Sequence, residues 1–110
     1  MAQHARVSEA LEHALQERHE LSLTEYEVLE RLTESEDGKC RMQELAEEIH
    51  LSQSALSRLV GRLEETGLVG RSICDHDRRG IWACVTDAGR AAQQSAAPTH
   101  RDTLASTLGT

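Results

Sequence analysis

Residues 51–68, LSQSALSRLVGRLEETGL, constrain the fold more than any other part of the chain. Leu56, Leu59, Val60 and Leu63 recur at the i, i+3, i+4, i+7 spacing that gathers apolar side chains on one face of a helix. The other face carries Gln53, Ser54, Ser57, Arg58 and Arg62, short hydrogen-bonding groups and guanidiniums in place of the Glu/Lys mixture usual on a solvated helix. Ser52 is placed to cap the first turn and Gly67 to end the last, with Leu68 folding back onto it. Residues 41–49 repeat the pattern in a shorter helix, with Met42, Leu45, Ala46 and Ile49 as its apolar face, and only His50, Leu51 and Ser52 separate the two. A plain helical hairpin would share this periodicity. A short helix, a tight turn and a second helix with an arginine-bearing face also make a helix-turn-helix, in which the second helix enters the major groove of DNA.

The residues that follow favour the helix-turn-helix. LVGRSICDHDRRGIWACVT holds two β-prone runs, residues 68–74 and 81–86, on either side of a charged tip at 75–80, which is the pattern of a hairpin. A hairpin directly after a recognition helix is the wing of a winged helix. Arg78 and Arg79 place positive charge at its tip, suited to a narrow minor groove of strongly negative potential, and Asp77 is placed to brace one of them. A solvated turn would carry the same charges, and the bracing pair is compatible with it.

The rest of the chain supplies packing. A first helix at residues 5–21 has Val7, Ala10, Leu11, Ala14 and Leu15 along one stripe, which must be buried on the core or on a second subunit. His4, His13 and His19 on or beside it read as solvated surface groups. A second helix at residues 24–35 opens on Thr24 and Glu27 in capping-box spacing and offers Tyr26, Val28, Leu29 and Leu32 to the core. Residues 39–41 form a short strand beside the wing. On the last wing strand Trp82 reads as packing cover rather than as a base-stacking group. Thr86 caps a final helix over residues 87–97 with Asp87 at its positive end, Pro98 should kink or end it, and Leu104 and Leu108 continue in helical register beyond.

Composition bounds what such a chain does. At 110 residues it is one domain, and with no Phe, one Tyr and one Trp its core must rest on Leu, Val, Ile and Ala. No apolar run approaches the roughly 20 residues that span a membrane. The first residues lack a secretory segment, so the cytoplasm is the expected compartment. The net charge of −7 opposes DNA binding, but residues 1–51 hold 5 basic side chains against 13 acidic ones, whereas residues 52–80 hold 5 against 4. The arginines thus fall where the motif needs them. Three cysteines, Cys40, Cys74 and Cys84, cluster about the wing; an odd number argues against a disulfide framework and leaves inert thiols, with a redox pair as the alternative. No Cys-x-x-Cys or His-x-x-x-His pair suggests a metal, no catalytic motif suggests an enzyme, and no cofactor is implied.

LSLTEYEVL, then MQELAEEIHLSQSALSRLVGRLEETGLVGR, then DHDRRGIWACVTDAGR resemble the multiple-antibiotic-resistance regulator (MarR) family of bacterial transcription factors over residues 21–90. The DRR of the wing and the Thr-Asp-Ala-Gly after it are the most specific part. The resemblance implies a mainly α (α+β) winged helix-turn-helix with a small β-hairpin wing and flanking N- and C-terminal dimerisation helices. In that frame the single domain at 1–110 divides into a dimerisation helix (1–21), a winged core (22–86) and a C-terminal helix (87–110), the last shortened relative to the family. It further implies a homodimer on a pseudo-palindromic double-stranded DNA operator, often a repressor released by a small-molecule effector or by oxidation, with Tyr26 a candidate for the effector pocket. A winged-helix protein-interaction module without DNA binding is the alternative that the acidic total favours.

Overall fold

The apolar stripes close on one core, in which Leu15, Tyr26, Val28, Leu29, Leu32, Leu45, Leu56, Val60 and Leu63 are buried together. The computed structural model describes residues 2–73 and 80–108. The wing tip expected at 75–80 therefore lies largely outside the described residues, with Cys74, Asp77, Arg78 and Arg79, as does the side chain of His4. The described residues form the helices α1 (Ala2–His19), α2 (Leu23–Glu34), α3 (Met42–Glu48), α4 (Gln53–Glu65) and α5 (Asp87–Leu108) and the strands β1 (Lys39–Arg41), β2 (Val69–Ile73) and β3 (Ile81–Val85). No helix among them is long and apolar enough to cross a membrane.

Helix α2 starts one residue earlier than expected, and its capping box uses Ser22 and Glu25 rather than Thr24 and Glu27. The Ser22 hydroxyl accepts from the Glu25 amide at 3.0 Å, and the Glu25 carboxylate accepts from the Ser22 amide at 2.8 Å. Both pairs have the same spacing, so the choice is tertiary: starting at Leu23 brings its amide 2.7 Å from the Glu12 carboxylate of α1, which satisfies a further orphan donor.

The turn between α3 and α4 is closed by backbone bonds. His50 N–H reaches Glu47 O at 3.3 Å and Leu51 N–H reaches Ala46 O at 2.9 Å, with His50 held at φ 59°. The end of α4 repeats this pair of bonds, Gly67 to Glu64 at 3.0 Å and Leu68 to Leu63 at 2.9 Å, with Gly67 at φ 78°. Ser52 caps α4 as expected, its hydroxyl accepting from Ala55 N–H at 3.1 Å.

The strands form an antiparallel sheet in the order β1-β3-β2, with Cys40 opposite Ala83 and Arg71 opposite Ala83 on the other side. Alternation therefore turns Cys40, Ala83 and Val69 to the core, while Lys39, Trp82 and Cys84 lie on the outer face. Thr86 then ties the sheet to α5: its hydroxyl donates to Gly67 O at 2.7 Å and accepts from Gly89 N–H at 3.0 Å.

Helix α5 runs on through Pro98 to Leu108 rather than ending at the proline. The proline has no N–H to donate to the carbonyl of Gln94, and both residues lie on the exposed side of the helix. Contacts on either side hold the helix: Ala96 is buried, His19 Nε2 lies 2.8 Å from Thr99 Oγ1, and His100 stacks on Tyr26 at 4.8 Å between ring centroids.

Two backbone positions yield opposite predictions. A Cβ at Gly89 would collide with Leu68 O and stand 2.7 Å from Val85 Cγ2, so Gly89→Ala should destabilise by about 1–3 kcal/mol although alanine is the better helix former. At His50 the left-handed backbone penalises any Cβ, so His50→Gly should stabilise by up to about 1 kcal/mol. Urea denaturation of the two variants checks both signs.

Candidate nucleic-acid interface

Helix α4 is oriented by what it buries. Leu56, Leu59, Val60 and Leu63 are at most 5% exposed, and at about 100° per residue their common direction leaves Ser54, Arg58, Gly61 and Glu65 at the centre of the outward face. Gln53, Ser57 and Glu64 lie on the flank toward the wing, and Arg62 lies on the opposite flank. Gln53, Ser54, Arg58 and Arg62 are exposed, whereas Ser57 is half-buried. The structure thus brings Ser54 and Arg58 together on the outward face, while Gln53 and Arg62 are exposed on opposite flanks and Ser57 is partly withdrawn. Glu65, also exposed, adds an acid to that surface which the sequence reading overlooked.

The half-burial of Ser57 has a cause on β2. Arg71 reaches across to α4: its Nη1 donates to Ser57 Oγ at 3.1 Å, its Nη2 to Ser57 O at 2.6 Å and its Nε to Glu64 Oε1 at 2.7 Å. Arg71 was not among the sequence candidates. A signal was present, because alternation along VGRSI puts this arginine on the same side as Val69, and a guanidinium on an inward-facing position needs an acceptor.

On the outer face of the sheet, Lys39 Nζ stands 5.7 Å from the centre of the Trp82 ring and the Arg41 guanidinium 5.4 Å. These cations cover the indole, in keeping with a packing role. Its Nε1 is buried without an acceptor among the described residues.

The MarR family model matches residues 21–81, more than half of the chain. The chain belongs to the MarR family. It is similar to the uncharacterized HTH-type transcriptional regulator YwhA of Bacillus subtilis, at 33% identity over 57 residues, which is 52% of this chain and 41% of that protein. The chain therefore spans less than half the length of that relative. Among solved structures, it superposes on the MarR family transcriptional regulator Sco3205 of Streptomyces coelicolor, determined in complex with DNA, with a TM-score of 0.92 at 33% identity over 96% of this chain and 67% of that one. AbsC, a MarR family transcriptional regulator from the same organism, gives a TM-score of 0.92 at 34% identity over 96% of this chain and 71% of that one.

In this MarR-family chain Tyr26 is a core residue, 1% exposed. Its hydroxyl donates to Glu30 Oε2 at 3.3 Å and accepts from Gln93 Nε2 at 3.5 Å, and burial raises its pKa. A cavity of about 260 Å³ opens where the end of α1, the start of α2, the end of α4 and α5 meet, lined by His19, Leu21, Glu25, Leu63, Thr66 and Ala92. Tyr26 does not line it.

The cysteines are separated by the sheet. Cys40 faces the core opposite Ala83, and Cys84 leaves the other face, half-buried, with Sγ 3.5 Å from Ser72 Oγ. A disulfide needs Cβ atoms about 3.8 Å apart and directed at each other, so strand alternation keeps Cys40 and Cys84 from pairing within one chain, and a pair with Cys74 lies outside the described residues. Burial raises the Cys40 pKa, with Glu48 and Glu44 adding to the effect and Arg31 opposing it. Among the described residues no group of three or more His, Cys, Asp or Glu side chains is arranged to hold a metal ion.

Thiol reactivity follows from this placement, since the thiolate is the nucleophile and Cys40 is both buried and held protonated. Iodoacetamide at neutral pH should label Cys84 in the native protein well before Cys40, which should react only on unfolding. Mass spectrometry of proteolytic peptides along a labelling time course reads the order.

Proposed function

We propose that the chain is a transcriptional regulator that binds double-stranded DNA as a homodimer, with α4 in the major groove and the β2–β3 hairpin at the adjacent minor groove. The observation that carries this proposal is the outward face of α4, where Ser54 and Arg58 are exposed at the centre and Gln53 is exposed at the N-terminal turn beside them. Residues in the first turns of a recognition helix are the ones that reach base edges, and arginine is suited to guanine. Arg62, on the flank, is assigned a phosphate. Arg78 and Arg79, outside the described residues, are assigned to the wing contact with Asp77 as their brace.

Dimerisation is supported by apolar side chains on the terminal helices. Leu108 is 52% exposed on α5, Leu104 and Val7 are half-buried, and α1 packs chiefly against α5. A two-fold pair would present its recognition helices to half-sites one helical turn, about 34 Å, apart. The cavity at the junction of α1, α2, α4 and α5 is the proposed effector site, because a ligand wedged against Leu63 and Thr66 would bear on the last turn of α4. On this reading the chain is a repressor that releases DNA when a ligand occupies the cavity.

The net charge of −7 favours a second reading, a winged-helix module that binds another protein. Gel-shift titration against the DNA immediately upstream of the chain's own coding sequence separates the two. A regulator should bind with strong salt dependence. Arg58→Ala should weaken that binding by roughly tenfold or more, and Arg62→Ala should lower the salt slope by about 1. A protein-interaction module would bind no duplex at any salt concentration.

A further inference from the structure

Arg71 is the described side chain that joins the hairpin to the recognition helix through the most polar contacts. Its guanidinium lies edge-on to α4 and uses all three nitrogens, on the Ser57 hydroxyl, the Ser57 carbonyl and the Glu64 carboxylate. Ser57, Gly61 and Glu64 follow at i, i+4 and i+7, so they form one strip of the helix facing β2. The middle of that strip is empty of side chain. A Cβ at Gly61 would stand 3.6 Å from Arg71 Nη2, in ordinary van der Waals contact.

This arrangement differs from a phosphate-binding arginine in two respects. The charge is already met by Glu64, and the side chains of the pair are 27% and 36% exposed, so solvent screens them less than a pair at the tip of a loop. A planar guanidinium also fixes direction as well as distance, which an ammonium does not. From these contacts we propose that Arg71 is a positioning residue: it sets the angle between α4 and the β2–β3 hairpin, and Ser57 is its anchor on the helix rather than a reader of bases. Major-groove and minor-groove contacts then share one geometry because one side chain spans both elements.

The proposal rests on the DNA-binding reading above, and its consequences are distinct from that reading's. A clamp already neutralised by Glu64 releases no counterions when DNA binds, so its loss should lower affinity without changing the salt slope. Lysine keeps the charge but cannot donate in one plane to a hydroxyl, a carbonyl and a carboxylate. Arg71→Lys is therefore expected to fail as a substitute.

The test uses a duplex enriched by the wild-type protein from a random-sequence pool and a scrambled duplex of the same length and composition. Arg71→Lys should bind the enriched duplex at least tenfold more weakly, bind the scrambled one within twofold of wild type, and keep the wild-type salt slope. Ser57→Ala, which retains the carbonyl, should lose less affinity and enrich the same sequence in a fresh selection. Hydrogen exchange without DNA should show faster opening of β2 in Arg71→Lys while the core of α2 is unchanged, which separates a local release from general unfolding. The clamp is refuted by wild-type affinity in Arg71→Lys, by a salt slope lower by about 1, or by a changed sequence preference in Ser57→Ala. If the wild-type chain enriches no duplex, the regulator reading fails and takes the clamp's role in recognition with it.

Discussion

Everything the surface of α4 offers depends on the burial of its opposite face. Leu56, Leu59, Val60 and Leu63 are almost fully enclosed by the core, and each contributes about 1.5–3 kcal/mol relative to exposure. That sum is of the same order as the whole stability of a small domain. Rotating α4 to hide Ser54 or Arg58 would expose those leucines. The polar face is thus held outward by hydrophobic force, with no need for an interaction of its own. This is why α4 can present the side chains of Ser54 and Arg58 to solvent.

Burial fixes the roll of α4 but not where it begins and ends, and these are set by backbone bonding. The turn before it is closed at His50 and the turn after it at Gly67, each with the same two amide-to-carbonyl bonds. Gly67 adopts its positive φ at no steric cost, while His50 adopts one against the preference of its Cβ. The chain tolerates that strain because Leu51, next in sequence, packs on the core and closes the second bond. From Gly67 the path is continuous: its carbonyl accepts from Thr86, whose hydroxyl caps α5, and Gly89 lets α5 lie against Leu68 without a side chain between. The end of the recognition helix, the root of the wing and the start of the last helix therefore meet at one small hydrogen-bonded junction.

Where the sequence could be read, periodicity was the reason. Apolar spacing located each helix, and alternation with a charged tip located the hairpin, because both patterns are local and have a single geometric solution. Three features were not legible for one shared reason, that they depend on residues distant in the chain. The start of α2 at Ser22 rather than Thr24 depends on Glu12 of α1. The passage of α5 through Pro98 is accompanied by contacts from distant parts of the chain, His19 on Thr99 and Tyr26 on His100. The half-burial of Ser57 depends on Arg71, and here alternation along β2 held a usable hint. The separation of Cys40 from Cys84 was legible in principle, since strand register decides which residues share a face, but the register itself is a tertiary fact.

The charge distribution has a structural counterpart that bears on affinity. Glu65 stands exposed on the outward face of α4, and Glu44, Glu47 and Glu48 are exposed on α3. Carboxylates at those positions oppose the approach of a polyanion, and with a Debye length of about 8 Å at physiological salt they are felt mainly by phosphates close to α3 and α4. Loose, sequence-independent attachment, which relies on phosphate attraction, is penalised most. The docked arrangement proposed above, with Arg58 against a base edge, would be penalised least, because its hydrogen bonds survive salt better than a diffuse field does. On the proposed DNA-binding reading, an acidic chain with a few well-placed arginines trades general affinity for a larger ratio between the right site and the wrong ones. That ratio depends on α4 and the hairpin being rigid with respect to each other, since a recognition helix free to tilt would find compensating contacts on any sequence.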